Sequence, residues 1–201
     1  MGSFDIAAGT AAVFNSPFDS FTTASLKDLL SNPSKSSFHR IVNKLESAGV
    51  IEQTEKGKYL KTSGKVDDFI LANTLYAPSY VSFESALNLH GILSQFPYEI
   101  TSATVKKSQT KTIHDKTYSY THIQTSLFWG YEKYQNELIA TPEKSLIDQM
   151  YLAAKGIRSI PVDELDVTRI NRKLFKSYLS KLPKNIELHS IIRFSRELKL
   201  C

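Results

Sequence analysis

The chain has 201 residues, 41% of them hydrophobic, and a formal net charge of +5, enough apolar material for one large or two small cores and no sign of disorder. It has no apolar run long enough for a membrane span and no basic-then-apolar signal peptide, and Ile6 stands where a myristoylation signal needs Ser or Thr. The single cysteine, Cys201, is the last residue, so no intrachain disulfide or cysteine metal cluster is expected and the expected compartment is a reducing cytoplasm.

The first 62 residues read as helix, short strand, helix, turn, helix and hairpin. Phe4, Ala8, Ala11 and Ala12 share one face of a first helix, which Asn15-Ser16-Pro17 ends. Phe18 to Thr22 is a short strand, and Thr23 is the expected N-cap of a helix carrying Leu26, Leu29 and Leu30. After the Asn32-Pro33-Ser34 turn, Phe38, Ile41, Val42 and Leu45 recur at helical spacing until Gly49. Val50 and Ile51 begin a hairpin whose tip runs from Glu55 to Lys58 around Gly57, and Tyr59 and Leu60 close it. This order predicts a winged helix-turn-helix over residues 1–62.

If Phe38, Ile41 and Leu45 face the core, Ser36, Arg40, Asn43 and Ser47 point the other way, with Ser37 and Lys44 beside them. Arginine can pair with guanine edges and asparagine with adenine, while serine and lysine reach phosphates or bases. Lys56 and Lys58 at the hairpin tip suit phosphate contact. The candidate DNA-binding residues are therefore Ser36, Ser37, Arg40, Asn43, Lys44, Lys56 and Lys58. Any exposed helix face is polar, however, and winged helices also serve as protein-binding modules. Residues 1–62 carry 7 basic and 6 acidic groups, so bulk charge argues little for DNA.

A boundary is expected at Thr62 to Lys65, with a second domain over 63–201. Asp67 to Leu75 has helical spacing, and Ser82 is the expected cap of a helix from Phe83 to His90. His90 suits the dipole at that helix end, a structural role. Ile100 to Val105 reads as a strand, and Lys111 to His114 with Thr117 to Ile123 reads as a hairpin. Tyr118, Tyr120 and His122 on one face of its second arm, near Lys106, Lys107, Lys111 and Lys116, could stack single-stranded bases. Such tyrosines more often pack across strands. Leu127 to Tyr131 is apolar and expected to be buried, and Glu137 to Ala140 is a last strand. Thr141-Pro142-Glu143 starts a helix with Leu146, Ile147, Met150 and Tyr151 inside. Residues 162–182 and Ile186 to Leu200 are helical in pattern. The fold class expected is α+β, with a mixed second domain whose small antiparallel sheet is flanked by helices.

Residues 101–125 carry 4 basic groups and 1 acidic, and residues 155–201 carry 11 and 5. A possible second basic surface comprises Lys106, Lys107, Lys111, Arg169, Arg172, Lys173 and Lys176, serving either an anionic partner or plain solvation. The sequence has no Walker A loop, no GxGxxG and no zinc-spaced histidines, and Glu197-Leu198-Lys199 lacks the strand and aspartate of a nuclease core. No cofactor, metal or catalytic residue is expected.

Two blocks carry a family likeness: Tyr80-Val81-Ser82-Phe83-Glu84-Ser85-Ala86-Leu87-Asn88-Leu89-His90-Gly91 and Thr141-Pro142-Glu143-Lys144-Ser145-Leu146-Ile147-Asp148-Gln149-Met150-Tyr151-Leu152. With Thr101 to Thr104, Tyr118 to Ile123 and Leu127 to Tyr131 between them, the chain up to about Leu152 resembles AbiEi-type antitoxins of type IV toxin–antitoxin (abortive infection, phage-defence) systems. The resemblance implies a transcriptional autorepressor that binds inverted repeats of double-stranded DNA in its own promoter. It also implies an antitoxin that counteracts a nucleotidyltransferase-type toxin without a stable complex, and no enzymatic activity. The alternative is a protein-interaction module that grips a partner toxin directly, its winged helix not reading DNA.

Overall fold

A computed structural model of the chain describes residues 6–63, 67–134, 137–160, 162–184 and 188–200. Phe4, Gly64, Lys65, Ile186 and Cys201, used in the sequence reading, lie outside the described residues. The fold is mixed α+β, in two compact units, Met1–Leu75 and Tyr76–Cys201.

The first unit holds α1 (Ile6–Asn15), β1 (Ser20–Thr22), α2 (Thr23–Leu29), α3 (Lys35–Ser47), β2 (Ile51–Glu55), β3 (Lys58–Lys61) and α4 (Asp68–Leu75). Its three strands form an antiparallel sheet in the order β1-β3-β2, with Tyr59 opposite both Phe21 and Gln53. One core joins Val13 of α1, Leu26 of α2, the Phe38, Ile41, Val42 and Leu45 stripe of α3, and Ile51 and Tyr59 of the hairpin. The period-3.6 apolar stripe of α3 is what drives it against the sheet. The sequence reading assigns α4 to the second domain, but it packs with the first unit. Ser20 Oγ lies 3.0 Å from Thr74 Oγ1, and Lys58 Nζ donates to the Leu75 carbonyl.

The cap of α2 is Thr22 rather than Thr23: Thr22 Oγ1 accepts from the Ser25 N–H at 3.2 Å, and the Ser25 hydroxyl accepts from the Thr22 N–H at 2.9 Å. This reciprocal pair satisfies two amide groups at the helix start. Thr23 is occupied elsewhere. Its N–H and its hydroxyl both donate to the Gly57 carbonyl, at 2.8 and 3.3 Å, strapping the hairpin turn to α2. Gly57 has φ +78°, and a Cβ there would lie 2.8 Å from Thr23 Oγ1, so both conformation and space demand glycine.

The second unit holds β4 (Ser79–Val81), α5 (Phe83–Leu89), β5 (Glu99–Thr104), β6 (Gln109–Ile113), β7 (Lys116–His122), β8 (Tyr131–Tyr134), β9 (Glu137–Ala140), α6 (Pro142–Ala154), α7 (Arg172–Ser180) and α8 (Leu188–Glu197). The sheet is larger than the small antiparallel one expected. It has six strands in the order β6-β7-β5-β4-β9-β8, and β5–β7 and β4–β9 run parallel. Parallel pairing joins segments far apart in sequence and leaves no local turn signal to read. Tyr118 and Tyr120 are both 2% exposed, so they pack inside and offer no stacking platform. Residues 162–182 are not one helix. Two 3₁₀ turns, Val162–Glu164 and Val167–Arg169, precede α7. Asp166 and Asn171 are the reason: their side chains accept the backbone N–H groups of Thr168 and of Lys173 and Leu174, which divides the segment.

Helices α5, α7 and α8 all pack against α6, and every residue from Glu143 to Leu152 is buried. A helix buried all round must satisfy its polar side chains internally.

Candidate nucleic-acid interface

Helix α3 begins at Ser34, whose hydroxyl accepts from the Ser37 N–H at 3.3 Å and donates to Ser37 Oγ at 3.0 Å. Ser36 Oγ lies 3.3 Å from the same hydroxyl. Ser37 is therefore half-buried in the cap, while Ser36 is exposed at its edge. Beyond the cap, Arg40, Asn43, Lys44 and Ser47 are exposed along one stripe and line an open depression with Ala48 and with Ile6 of α1. The side chains of Arg40, Asn43 and Lys44 make no hydrogen bond or ion pair with another described residue. Their donors and acceptors are available to a ligand. His39, which the sequence reading passes over, is exposed beside them, its Nδ1 2.8 Å from the Lys35 carbonyl. Its i+3 and i+4 relation to Ser36 and Asn43 is the signal that could have found it.

The two hairpin lysines differ. Lys56 is exposed at the tip. Lys58 turns inward: it bonds Glu55 Oε2 at 3.0 Å as well as the Leu75 carbonyl, and a cation so engaged is poorly placed for phosphate contact. Lys61 is likewise committed, to Asp19 at 3.2 Å. These pairings bear on the near-neutral charge of the unit. Asp19 and Glu55 are matched by lysines of β3, whereas Arg40, Lys44 and Lys56 have no ion-pair partner among the described residues.

The second-unit cations fall into two groups. Around half-buried Tyr76, Lys106 Nζ sits 5.2 Å and Lys111 Nζ 5.5 Å from the ring centroid. Lys106 also donates to the Ala77 carbonyl at 2.5 Å, and the Lys107 carbonyl accepts from the Tyr76 hydroxyl at 3.1 Å. Arg169, Arg172, Lys173 and Lys176 are exposed on and just before α7. Arg169 flanks Gly91, its Nε 3.1 Å from where a Cβ would stand.

The two blocks behind the family resemblance meet in one buried network. Lys144 of α6, fully buried, donates to Tyr80 Oη at 2.8 Å and pairs with Asp148 one turn on. Tyr80 Oη and Ser82 Oγ donate to Asp148 Oδ2 at 2.9 and 2.8 Å. Ser82 thus turns its hydroxyl away from the α5 terminus it was expected to cap. Burial, with Asp148 alongside, raises the Tyr80 phenol well above its ordinary value, so Tyr80 remains a donor. Burial lowers the Lys144 ammonium from its usual value, and Asp148 opposes that shift. Gly130, at φ +75°, clears a path for the lysine stem, because a Cβ there would come within 2.9 Å of Lys144 Cγ. His90 Nε2 lies 2.8 Å from the Ala140 carbonyl, joining the end of α5 to β9. Every donor and acceptor in this network faces another protein group, which makes it a support for the fold. Among the described residues no group of three or more His, Cys, Asp or Glu could hold a metal. No described helix is long and apolar enough to cross a membrane.

No protein-family model and no curated protein matches the sequence. The structure is similar to the crystal structure of the RV2827C protein from Mycobacterium tuberculosis, with a TM-score of 0.61 over 96% of this chain and 76% of that chain, at 16% identity. At that identity the likeness is one of fold alone: a mixed α+β chain.

Proposed function

We propose that the protein is a non-catalytic, DNA-binding transcriptional repressor whose first unit is a winged helix-turn-helix with α3 as its reading helix. One observation carries this reading: Arg40, Asn43 and Lys44 stand exposed and unpartnered on α3, where α2, a short turn and α3 are followed by the β2–β3 hairpin. A helix presenting unpaired guanidinium and carboxamide groups on one stripe suits the edges of the major groove. Lys56 would add one phosphate contact at the hairpin tip.

The antitoxin role rests on the resemblance of the two blocks. In this reading the repressor controls its own operon through inverted repeats, and its second unit counteracts a nucleotidyltransferase-type toxin in the cytoplasm. Two copies of α3 would be needed on such an operator.

A gel shift with the region upstream of the gene is the test. Specific binding at low salt that Arg40→Ala plus Asn43→Ala abolishes supports the reading; binding unchanged in that variant rejects it. Co-expression with a neighbouring nucleotidyltransferase tests the antitoxin half, with rescue of growth expected. The inward turn of Lys58 favours a second reading, a protein-interaction module, because it leaves fewer cations at the hairpin tip. Stable co-purification with the toxin, and no DNA shift, is what that reading requires.

A further inference from the structure

We infer that His39 is a specificity-determining residue of α3, whose Nε2 accepts a hydrogen bond from the amino group of an adenine or a cytosine; this rests on the repressor reading above. His39 is exposed, three residues after Ser36 and four before Asn43. Helical spacing sets it on the edge of the exposed stripe opposite Lys44. It lies in the first half of α3, the part of a reading helix that reaches base edges.

The ring is held in one orientation. His39 Nδ1 lies 2.8 Å from the Lys35 carbonyl oxygen. A carbonyl oxygen only accepts, so Nδ1 carries the proton and donates it. A neutral imidazole has a single N–H, which leaves Nε2 bare, an acceptor that cannot donate. The ring also meets buried Phe38 edge to face, with centroids 6.1 Å apart and planes at 80°. With Nδ1 turned to the helix backbone, Nε2 points away from it. Among the described residues Nε2 has no hydrogen-bond partner.

This acceptor differs from its neighbours. Arg40 and Lys44 can only donate, while Ser36, Asn43 and Ser47 can do either. In the major groove adenine and cytosine each present an amino donor, whereas guanine and thymine present acceptors alone. A bare Nε2 gains a hydrogen bond at adenine or cytosine and meets a lone pair at guanine or thymine. Arg40 discriminates the other way, because a guanidinium favours guanine. His39 therefore supplies a rejection of guanine and thymine that no other group on the stripe can make.

The full chain would select from duplexes randomised over about 25 base pairs, room for two half-sites one helical turn apart. Selection at about pH 8 keeps ordinary histidines neutral. Adenine or cytosine is expected at one position of each half-site. His39→Ala should level the four bases there and leave the other positions unchanged. It should weaken the selected duplex about two- to tenfold, the worth of one hydrogen bond. His39→Lys, a donor, should turn the preference at that position to guanine or thymine, and Arg40→Ala should relax a different position. Thermal melts in parallel exclude a folding defect in either His39 variant. Nitrogen NMR of the free protein should show Nδ1 protonated and Nε2 bare. A proton on Nε2, or guanine or thymine chosen by the parent at the His39-dependent position, overturns the inference. Selected sequences that His39→Ala leaves unchanged overturn it while the repressor reading stands; no selected sequence at all overturns both.

Discussion

Helices α3 and α6 are each 13 residues long, and each is capped by a hydroxyl, Ser34 in one and Thr141 in the other. Each also carries a lysine on its polar side. Lys44 of α3 is exposed and without a partner among the described residues, whereas Lys144 of α6 is fully buried with Tyr80 and Asp148 around its ammonium. The difference lies in what surrounds them. One face of α3 rests on the sheet and core of its unit, leaving the other to water. Helix α6 is packed against α5, α7 and α8, so its polar side chains lost water on every side. Lys144 and Asp148 pair with each other and Glu143 accepts the Asn171 N–H, whereas Gln149 Oε1 and the Tyr151 hydroxyl are buried without a hydrogen-bond partner among the described residues. The same residue type is a free contact group on one helix and an internal strut on the other.

The comparison breaks most sharply at Lys144. Lys144→Ala leaves Asp148 as an uncompensated buried charge and should cost about 3–5 kcal/mol of stability in a denaturant titration. Pairing it with Asp148→Leu should recover part of that loss. A single variant as stable as the parent would mean that the pair is not buried as described. At the exposed lysine the expected loss is of another kind. Lys44→Ala should leave stability within about 0.5 kcal/mol. Its neighbour Arg40→Ala should lower operator affinity by about 1–3 kcal/mol with the melting curve unmoved, as measured by gel shift and thermal denaturation in parallel.

The caps give a finer comparison, because both hydroxyls satisfy backbone N–H groups. Ser34→Ala and Thr141→Ala should each cost about 1 kcal/mol. The Thr141 variant should be the worse, since its orphaned amide is buried and water cannot replace the hydroxyl. Equal losses would show that the two ends are equally wet. The smallest effects are expected at the hairpin tip. Lys56→Ala should make the salt dependence of DNA binding shallower by about 0.9, the value of one phosphate contact, without altering stability. Lys58→Ala should do the reverse and slightly lower the melting temperature, because its partners are Glu55 and the Leu75 carbonyl.

Local patterns made several features legible. Phe38, Ile41, Val42 and Leu45 defined α3 and its buried face, and with it the exposed stripe of Arg40 and Asn43, because a helix repeats every 3.6 residues whatever surrounds it. Thr141-Pro142 marked the start of α6 for the same kind of reason: caps and proline act within one turn. The Ser37, Thr23 and Ser82 readings were harder, since a hydroxyl has several partners within reach. Ser37 joined the cap of Ser34, Thr23 went to Gly57, and Ser82 went to Asp148.

From the sequence alone come the order of the elements in the first unit, the core face of α3 and the chemistry that α3 leaves outside. Tertiary structure alone decided that Lys58 points inward, that β5 pairs parallel with β7, and that Tyr80, Ser82, Lys144 and Asp148 form one network. Tyr80 and Lys144 stand 64 positions apart, and no periodicity spans that separation. Packing brings them together, and the low dielectric around them then makes their pairing obligatory.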